Sequence, residues 1–172
     1  ENLLKKGIVS KIKGRTPKIK ILGNGKLSKK LIIENCKVSK TAKEAIEKAT
    51  AWVEDDPRAK QWLIENNFPE LVYLKDAASR YAKAFEYLLV HKHIVLATFV
   101  NAIWDDKKAF KLLMDGKQYH WAAMANYING DDNAAAFLKK NNLAHYAQLA
   151  HVIQAKIRRE GDEGTNIFKS GP

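Results

Sequence analysis

Eight basic side chains in the first third of the chain are the residues best suited to bind a charged ligand. They have few acidic neighbours: Lys11, Lys13, Arg15, Lys18, Lys20, Lys26, Lys29 and Lys30. Such a patch suits contacts to phosphate groups, which are electrostatic and sensitive to salt. Residues 1–50 contain no aromatic residue, so stacking on bases is not expected. The pattern predicts binding to a nucleic-acid backbone, and a solvated basic face without a partner is the alternative.

The histidines are the next candidates for chemistry, because imidazole is a common metal ligand. There are five of them: His91, His93, His120, His145 and His151. No cysteine accompanies them and no His-Glu-x-x-His pattern occurs, so we predict no metal site. No serine–histidine–aspartate order or paired-carboxylate motif stands out either. We therefore expect no catalytic residues and no cofactor.

The charge of the chain is divided unevenly at about residue 50. Residues 1–50 hold 14 Lys/Arg against 4 Asp/Glu, a net charge of +10. Residues 51–172 hold the other 16 against 15, a net charge of +1. A charge block of this kind concerns binding partners and not the fold. The two parts of the chain therefore need separate interpretations.

The basic part has the local patterns of a strand, a turn, a second strand and a helix. Residues 16–22 alternate between apolar and basic side chains, as a half-buried strand does. The turn signal Gly23-Asn24-Gly25 follows them, and Leu31-Ile32-Ile33 is a second short apolar run. Ser39 or Thr41 can cap a helix that we expect over Lys40–Ala49. These patterns predict a small α/β module over residues 1–50.

The same stretch resembles the C-terminal signature of the bacterial large-subunit ribosomal protein L-fifteen family, over residues 2–50. The residues that carry the resemblance are Lys20-Ile21-Leu22-Gly23-Asn24-Gly25-Lys26-Leu27, then Leu31 and Ile33, then Val38-Ser39-Lys40-Thr41-Ala42 and Ile46. Thr50 stands where the family usually has a glycine after the helix. The resemblance implies contacts between the eight basic side chains and the ribosomal RNA backbone. It also implies ribosomal RNA and ribosomal proteins as partners, in the cytoplasm.

The rest of the chain repeats every 25 residues, from residue 57 onward. Two small or apolar positions show the period most clearly: Ala59, Ala84, Ala109 and Ala134, then Leu63, Leu88, Leu113 and Leu138. A fixed period is typical of stacked repeats. Each unit has the pattern of two short helices, and we expect the first helix to end in a left-handed residue at Asn66, His91, Gly116 and Asn141.

The repeat therefore predicts an all-α array of four stacked αα-hairpins over residues 55–159. We expect residues 160–172 to form a flexible tail. With the small α/β module over residues 1–50, the predicted fold class of the whole chain is α+β.

One aligned set of residues in the second helices is polar among apolar neighbours: Asp76, Asn101, Asn126 and His151. They could line a concave interaction groove together with Trp104 and Trp121. The alternative is that they form hydrogen bonds between stacked helices, and that the tryptophans are core residues.

Two functions are compatible with these patterns. The first is a non-enzymatic, RNA-binding ribosomal-type protein, a structural constituent of the large subunit. The second is a helical-repeat scaffold for protein–protein interaction, with the basic segment secondary or part of a fusion or fragment.

No apolar run of about 18 residues exists, so no membrane span is expected. Cys36 is the only cysteine, which fits a reducing compartment.

Overall fold

The computed structural model describes residues 40–167, and the side chains of residues 40–161. Within this range the chain forms nine α-helices: α1 Lys40–Val53, α2 Pro57–Glu65, α3 Pro69–Ala78, α4 Ala82–Val90, α5 Ile94–Ile103, α6 Lys107–Asp115, α7 Tyr119–Ile128, α8 Asp132–Lys140 and α9 Ala144–Ile167. Residues 40–161 are called the helical unit below.

The predicted α+β fold class is wrong. The described residues form helices and short turns, with no strand among them. The strands were predicted from alternation over residues 16–22 and from the apolar run 31–33, and segments of that length are weak signals. Both runs lie outside the described residues. The fold that the structure supports is an all-helical array.

The 25-residue period of the sequence is also the period of the helices. Helices α2, α4, α6 and α8 begin at residues 57, 82, 107 and 132. Helices α3, α5, α7 and α9 begin at residues 69, 94, 119 and 144. Each helix of the first set forms one αα-hairpin with the helix that follows it in the sequence, and a three-residue turn joins the two. The second helix of every hairpin therefore runs in the same direction as that of the next hairpin.

The turns have left-handed residues at fixed places. After the first helix of each hairpin, the left-handed residues are Asn67, Lys92, Lys117 and Asn142, with φ between 57° and 63°. The prediction of Asn66, His91, Gly116 and Asn141 is wrong by one residue, since their φ values lie between −98° and −77°. The reason is a six-residue hydrogen-bonded turn, in which the N–H of Phe68 donates to the Leu63 oxygen at 2.8 Å.

Five helices form an inner ring and four lie outside it. The inner helices are α1, α3, α5, α7 and α9, each packed on the next, and α9 packs on α1. Each outer helix, α2, α4, α6 or α8, packs between two inner ones. The core between the inner helices contains fully buried Leu74, Phe99, Met124 and Leu149. Because α9 contacts both α1 and α3, the ring is closed.

Candidate functional site

The eight basic residues predicted to bind RNA lie outside the described residues. The distribution of charge along the sequence nevertheless shows where the basic region ends. Residues 1–39 hold 11 Lys/Arg against 2 Asp/Glu, a net charge of +9, and residues 40–172 hold 19 against 17, a net charge of +2. The helix predicted over Lys40–Ala49 is present as α1, extended to Val53. The basic block therefore ends where α1 begins.

Helix α1 belongs structurally to the ring. Its buried face consists of Ala45, Ile46, Ala49, Thr50 and Val53, and it packs against α2, α3 and α9. Its solvent face carries an exposed pair, Lys43 Nζ to Glu47 Oε1 at 3.5 Å, of a kind that contributes a few tenths of a kcal/mol. Helix α1, which follows the basic block in the sequence, is therefore an integral part of the helical unit.

A buried lysine connects the C-terminal ends of α1 and α3. Lys75 is only 6% exposed, and its Nζ donates to the Trp52 oxygen at 3.1 Å and to Asp55. The ammonium also lies 3.8 Å from the centroid of the Trp52 ring, which adds a cation–π contact. The hydrogen bond from Lys75 lowers the pKa of Asp55. The Lys75 ammonium thus makes two hydrogen bonds and a ring contact to the end of α1 and the turn after it, which is typical of a structural residue.

Successive inner helices are joined by side-chain donors at one repeat position, which directly follows α5 and α7 and lies within α9. Trp104 Nε1 donates to the Ala78 oxygen at 3.2 Å, Asn129 Nδ2 to the Ala102 oxygen at 3.1 Å, and Gln154 Nε2 to the Ile128 oxygen at 3.0 Å. The three donors are 25 residues apart. Their 25-residue spacing is visible in the sequence. It predicts no common role, however, because the three donors are of different residue types.

The structure separates the six residues predicted to line an interaction groove. Of the aligned polar set, Asp76 and Asn126 are half-buried, and Asn101 and His151 are exposed. His151 Nδ1 lies 3.1 Å from the Tyr127 hydroxyl. Asn126 lines a surface groove between α6 and α8, whereas Trp121 and His151 each line a different groove. Their role in binding stays a prediction.

The two tryptophans of that set lie at opposite ends of the inner helices. Trp104 is the C-terminal cap residue of α5, and the Arg80 guanidinium lies 3.6 Å from its ring centroid. Trp121 is buried near the start of α7, 5.0 Å from the ring of Phe99 and edge-on to Tyr146 at 5.6 Å. Both have the contacts of packed residues.

Two histidines lie beside this aromatic cluster. The His120 ring is 4.8 Å from Tyr146, and the His145 ring is 4.7 Å from Tyr146. Burial, with the nearby His145, lowers the pKa of His120 to about 4. Burial also lowers the pKa of His145, so both imidazoles are neutral at pH 7. Among the described residues, no group of three or more His, Cys, Asp or Glu side chains could hold a metal ion.

The part of the chain that the structure describes has no helix with the length and apolar character needed to cross a membrane. Residues 1–54 match the family of ribosomal proteins 50S-L15, 50S-L18e and 60S-L27A. The match confirms the resemblance inferred from residues 2–50, covers just under a third of the 172 residues, and includes all of α1. No solved structure matches the chain.

Proposed function

We propose that this protein binds ribosomal RNA through the basic side chains that precede α1, as a structural constituent of the large ribosomal subunit. The observation that supports the proposal most strongly is that the family match and the basic residues occupy the same part of the sequence. The match to a ribosomal protein family covers residues 1–54, and the net charge of +9 lies within residues 1–39 of that match. In this role the protein is non-enzymatic and works in the cytoplasm beside other ribosomal proteins.

The composition of the basic segment favours backbone contacts over reading of base sequence. Lysine outnumbers arginine ten to one in residues 1–39, and no aromatic side chain is available there for stacking. An ammonium group acts on phosphate as a point charge, without the two-pronged geometry that arginine offers. We therefore expect affinity that depends on RNA shape and charge.

The test is the salt dependence of RNA binding with and without four of these lysines. Changing Lys18, Lys20, Lys29 and Lys30 to Glu should abolish binding of ribosomal RNA at physiological salt. In the wild type, log affinity should fall steeply with log salt, by about 0.7 to 0.9 for each phosphate contacted. Circular dichroism should show unchanged helicity, since the described helices lie at residues 40–167.

The matched control reverses four exposed lysines of the outer helices, Lys107, Lys108, Lys139 and Lys140. It makes the same change in net charge at another place in the sequence. RNA affinity should fall much less in this variant. A flat salt dependence in the wild type, or equal losses in the two variants, would contradict the proposal.

A second role, in which the helical unit binds a protein partner, is supported by apolar side chains on the outer helices. Ile64, Leu89 and Met114 lie 25 residues apart and are between 41% and 48% exposed. Exposed apolar side chains in a repeating row are typical of interaction surfaces. The two roles are compatible, because they use different residues of the chain.

A further inference from the structure

The five inner helices begin at one end of the ring, around a depression that is called the mouth below. The mouth has a volume of about 420 Å³. Its floor consists of buried apolar side chains, one from each inner helix: Ile46, Leu71, Leu96, Trp121 and Tyr146. Ile94 and Val95 of α5 also line it, and they are 55% and 38% exposed. The side formed by α5 is therefore apolar and accessible to solvent, whereas the floor is already covered.

The accessible apolar surface continues from α5 onto the end of α4. Val90 is the last residue of α4 and is 66% exposed. A three-residue turn connects it to Ile94 and Val95, the first two residues of α5. These three side chains, Val90, Ile94 and Val95, are called the apolar tip. The apolar tip thus projects at one side of the mouth.

The other three hairpins show which side chains these positions carry when they face water. The counterparts of Val90 are Glu65, Asp115 and Lys140, and those of Val95 are Glu70, His120 and His145. The three charged counterparts of Val90 are all exposed. The α4–α5 hairpin therefore has apolar side chains where the other hairpins have charged or polar ones. A group of exposed apolar side chains at such a place is typical of an interaction surface.

The charges of the mouth indicate the kind of partner. One carboxylate and one ammonium group line it, Glu70 of α3 and Lys92 of the turn before α5. Neither forms an ion pair with another residue that the structure describes. A surface that has one charge of each sign, and an apolar projection beside an apolar depression, is complementary to a second copy of itself. In a twofold dimer the same surface of both copies takes part, so each contact occurs twice.

We propose that the mouth and the apolar tip form the interface of a twofold-symmetric dimer of this chain. The apolar tip of each copy packs against the mouth of the other copy. Glu70 of one copy faces Lys92 of the other, and the reverse pair forms on the opposite side of the twofold axis. Because the mouth is a small surface, we expect a dissociation constant on the order of 10 μM. The inference does not depend on RNA binding, because it uses no residue that precedes α1.

The first test is sedimentation equilibrium of the nuclease-treated full chain, at concentrations from about 1 to 200 μM. Val90→Glu gives the second hairpin the residue that the first hairpin has at this position, Glu65, and should weaken dimerisation about tenfold or more. Leu112→Glu is the matched control, because it makes the same kind of change at an apolar residue that is 63% exposed and outside the mouth. It should leave dimerisation unchanged. Circular dichroism verifies that both variants fold.

The second test reverses the two charges of the mouth. Glu70→Lys or Lys92→Glu alone places like charges opposite each other in the dimer and should weaken dimerisation. An equimolar mixture of these two variants should dimerise as the wild type does, because a lysine then faces a glutamate at both contacts. The double variant, with both reversals in one chain, should also dimerise as the wild type does. Recovery in the mixture is specific to an interface between two copies of the chain.

A full chain that stays monomeric up to about 200 μM overturns the proposal. A dimer that Val90→Glu and Leu112→Glu weaken equally, or that the charge reversals leave unchanged, also overturns it. A third contrary result is a monomeric chain that binds lipid vesicles and loses this binding in Val90→Glu, because the apolar tip would then contact a membrane surface. If Val90→Glu does not fold, the charge-reversal variants and their mixture decide the question.

Discussion

The inner and outer helices of the helical unit differ in what they bury and in how they begin. Each outer helix buries only two residues, an alanine and a leucine, whereas α5 and α7 each bury six. Three outer helices, α2, α6 and α8, begin at an aspartate that caps them, and the inner helices α3, α5 and α7 begin without a side-chain cap. Inner helices are thus held by packing, and these outer helices are held partly by local hydrogen bonds.

The largest expected difference between the two layers concerns packing. Phe99 of α5 is fully buried, and Phe99→Ala should lower the free energy of unfolding by about 3–5 kcal/mol, through lost burial and the cavity left behind. Leu112→Ala, on outer helix α6 at a residue 63% exposed, should change it by less than about 0.5 kcal/mol. Urea denaturation followed by circular dichroism measures both. Similar losses would show that the layers do not differ in packing.

A smaller effect is expected from pH, through the inner helix α7. The pKa of His120 is about 4 in the folded protein, against 6.5 for an ordinary histidine. Since the folded value is the lower one, the unfolded chain binds the proton first as pH falls. Stability should therefore be fully present above pH 6.5 and should fall by about 2 kcal/mol towards pH 4.5.

His120→Gln should remove most of this dependence between pH 6.5 and 4.5, leaving the part due to His145, whose pKa is also lowered. His151→Gln makes the same substitution at an exposed histidine and is the matched control. Urea midpoints measured at pH 7 and pH 4.5 compare the variants. A wild-type profile that is flat over this range would contradict burial of His120.

The smallest effect tests the caps. The Asp106 carboxylate accepts from the N–H of Lys108 at 2.8 Å and of Ala109 at 3.1 Å, so Asp106→Ala should cost about 1 kcal/mol. Gln118 precedes inner helix α7 without capping it, so Gln118→Ala should cost close to nothing. Thermal unfolding of the two variants gives the comparison. If both substitutions cost the same, capping does not distinguish the layers.

The helices of the repeat could be predicted from the sequence, because alanine and leucine at 25-residue intervals specify both period and buried face. Ring closure could not be predicted, since α1 precedes the repeat and its contact with α9 joins residues about a hundred positions apart in sequence. The left-handed residue of each turn lies one position later than predicted because the turn is closed by a six-residue hydrogen bond. At Lys92 and Lys117 the residue type gives no left-handed signal. The burial of Lys75 likewise depends on Asp55 and Trp52, which belong to another helix and its turn.

The surface groove between α6 and α8 was also beyond sequence reasoning. Its lining includes Phe110 and Met114 of α6 and Phe137 of α8, which only the fold brings together. Asn126 is a candidate from its polarity alone, and the groove that it lines is mainly apolar.

The contact between α9 and α1 also limits how this domain can vary in evolution. An open helical solenoid can gain or lose a unit at either end, because each unit touches only its neighbours. In this protein the first and last inner helices are neighbours, so duplication of one 25-residue unit would separate α1 from α9 and expose Ala45, Ile46 and Ala49, which are buried now. The number of units is therefore fixed by geometry, and variation should occur through substitution on the outer helices.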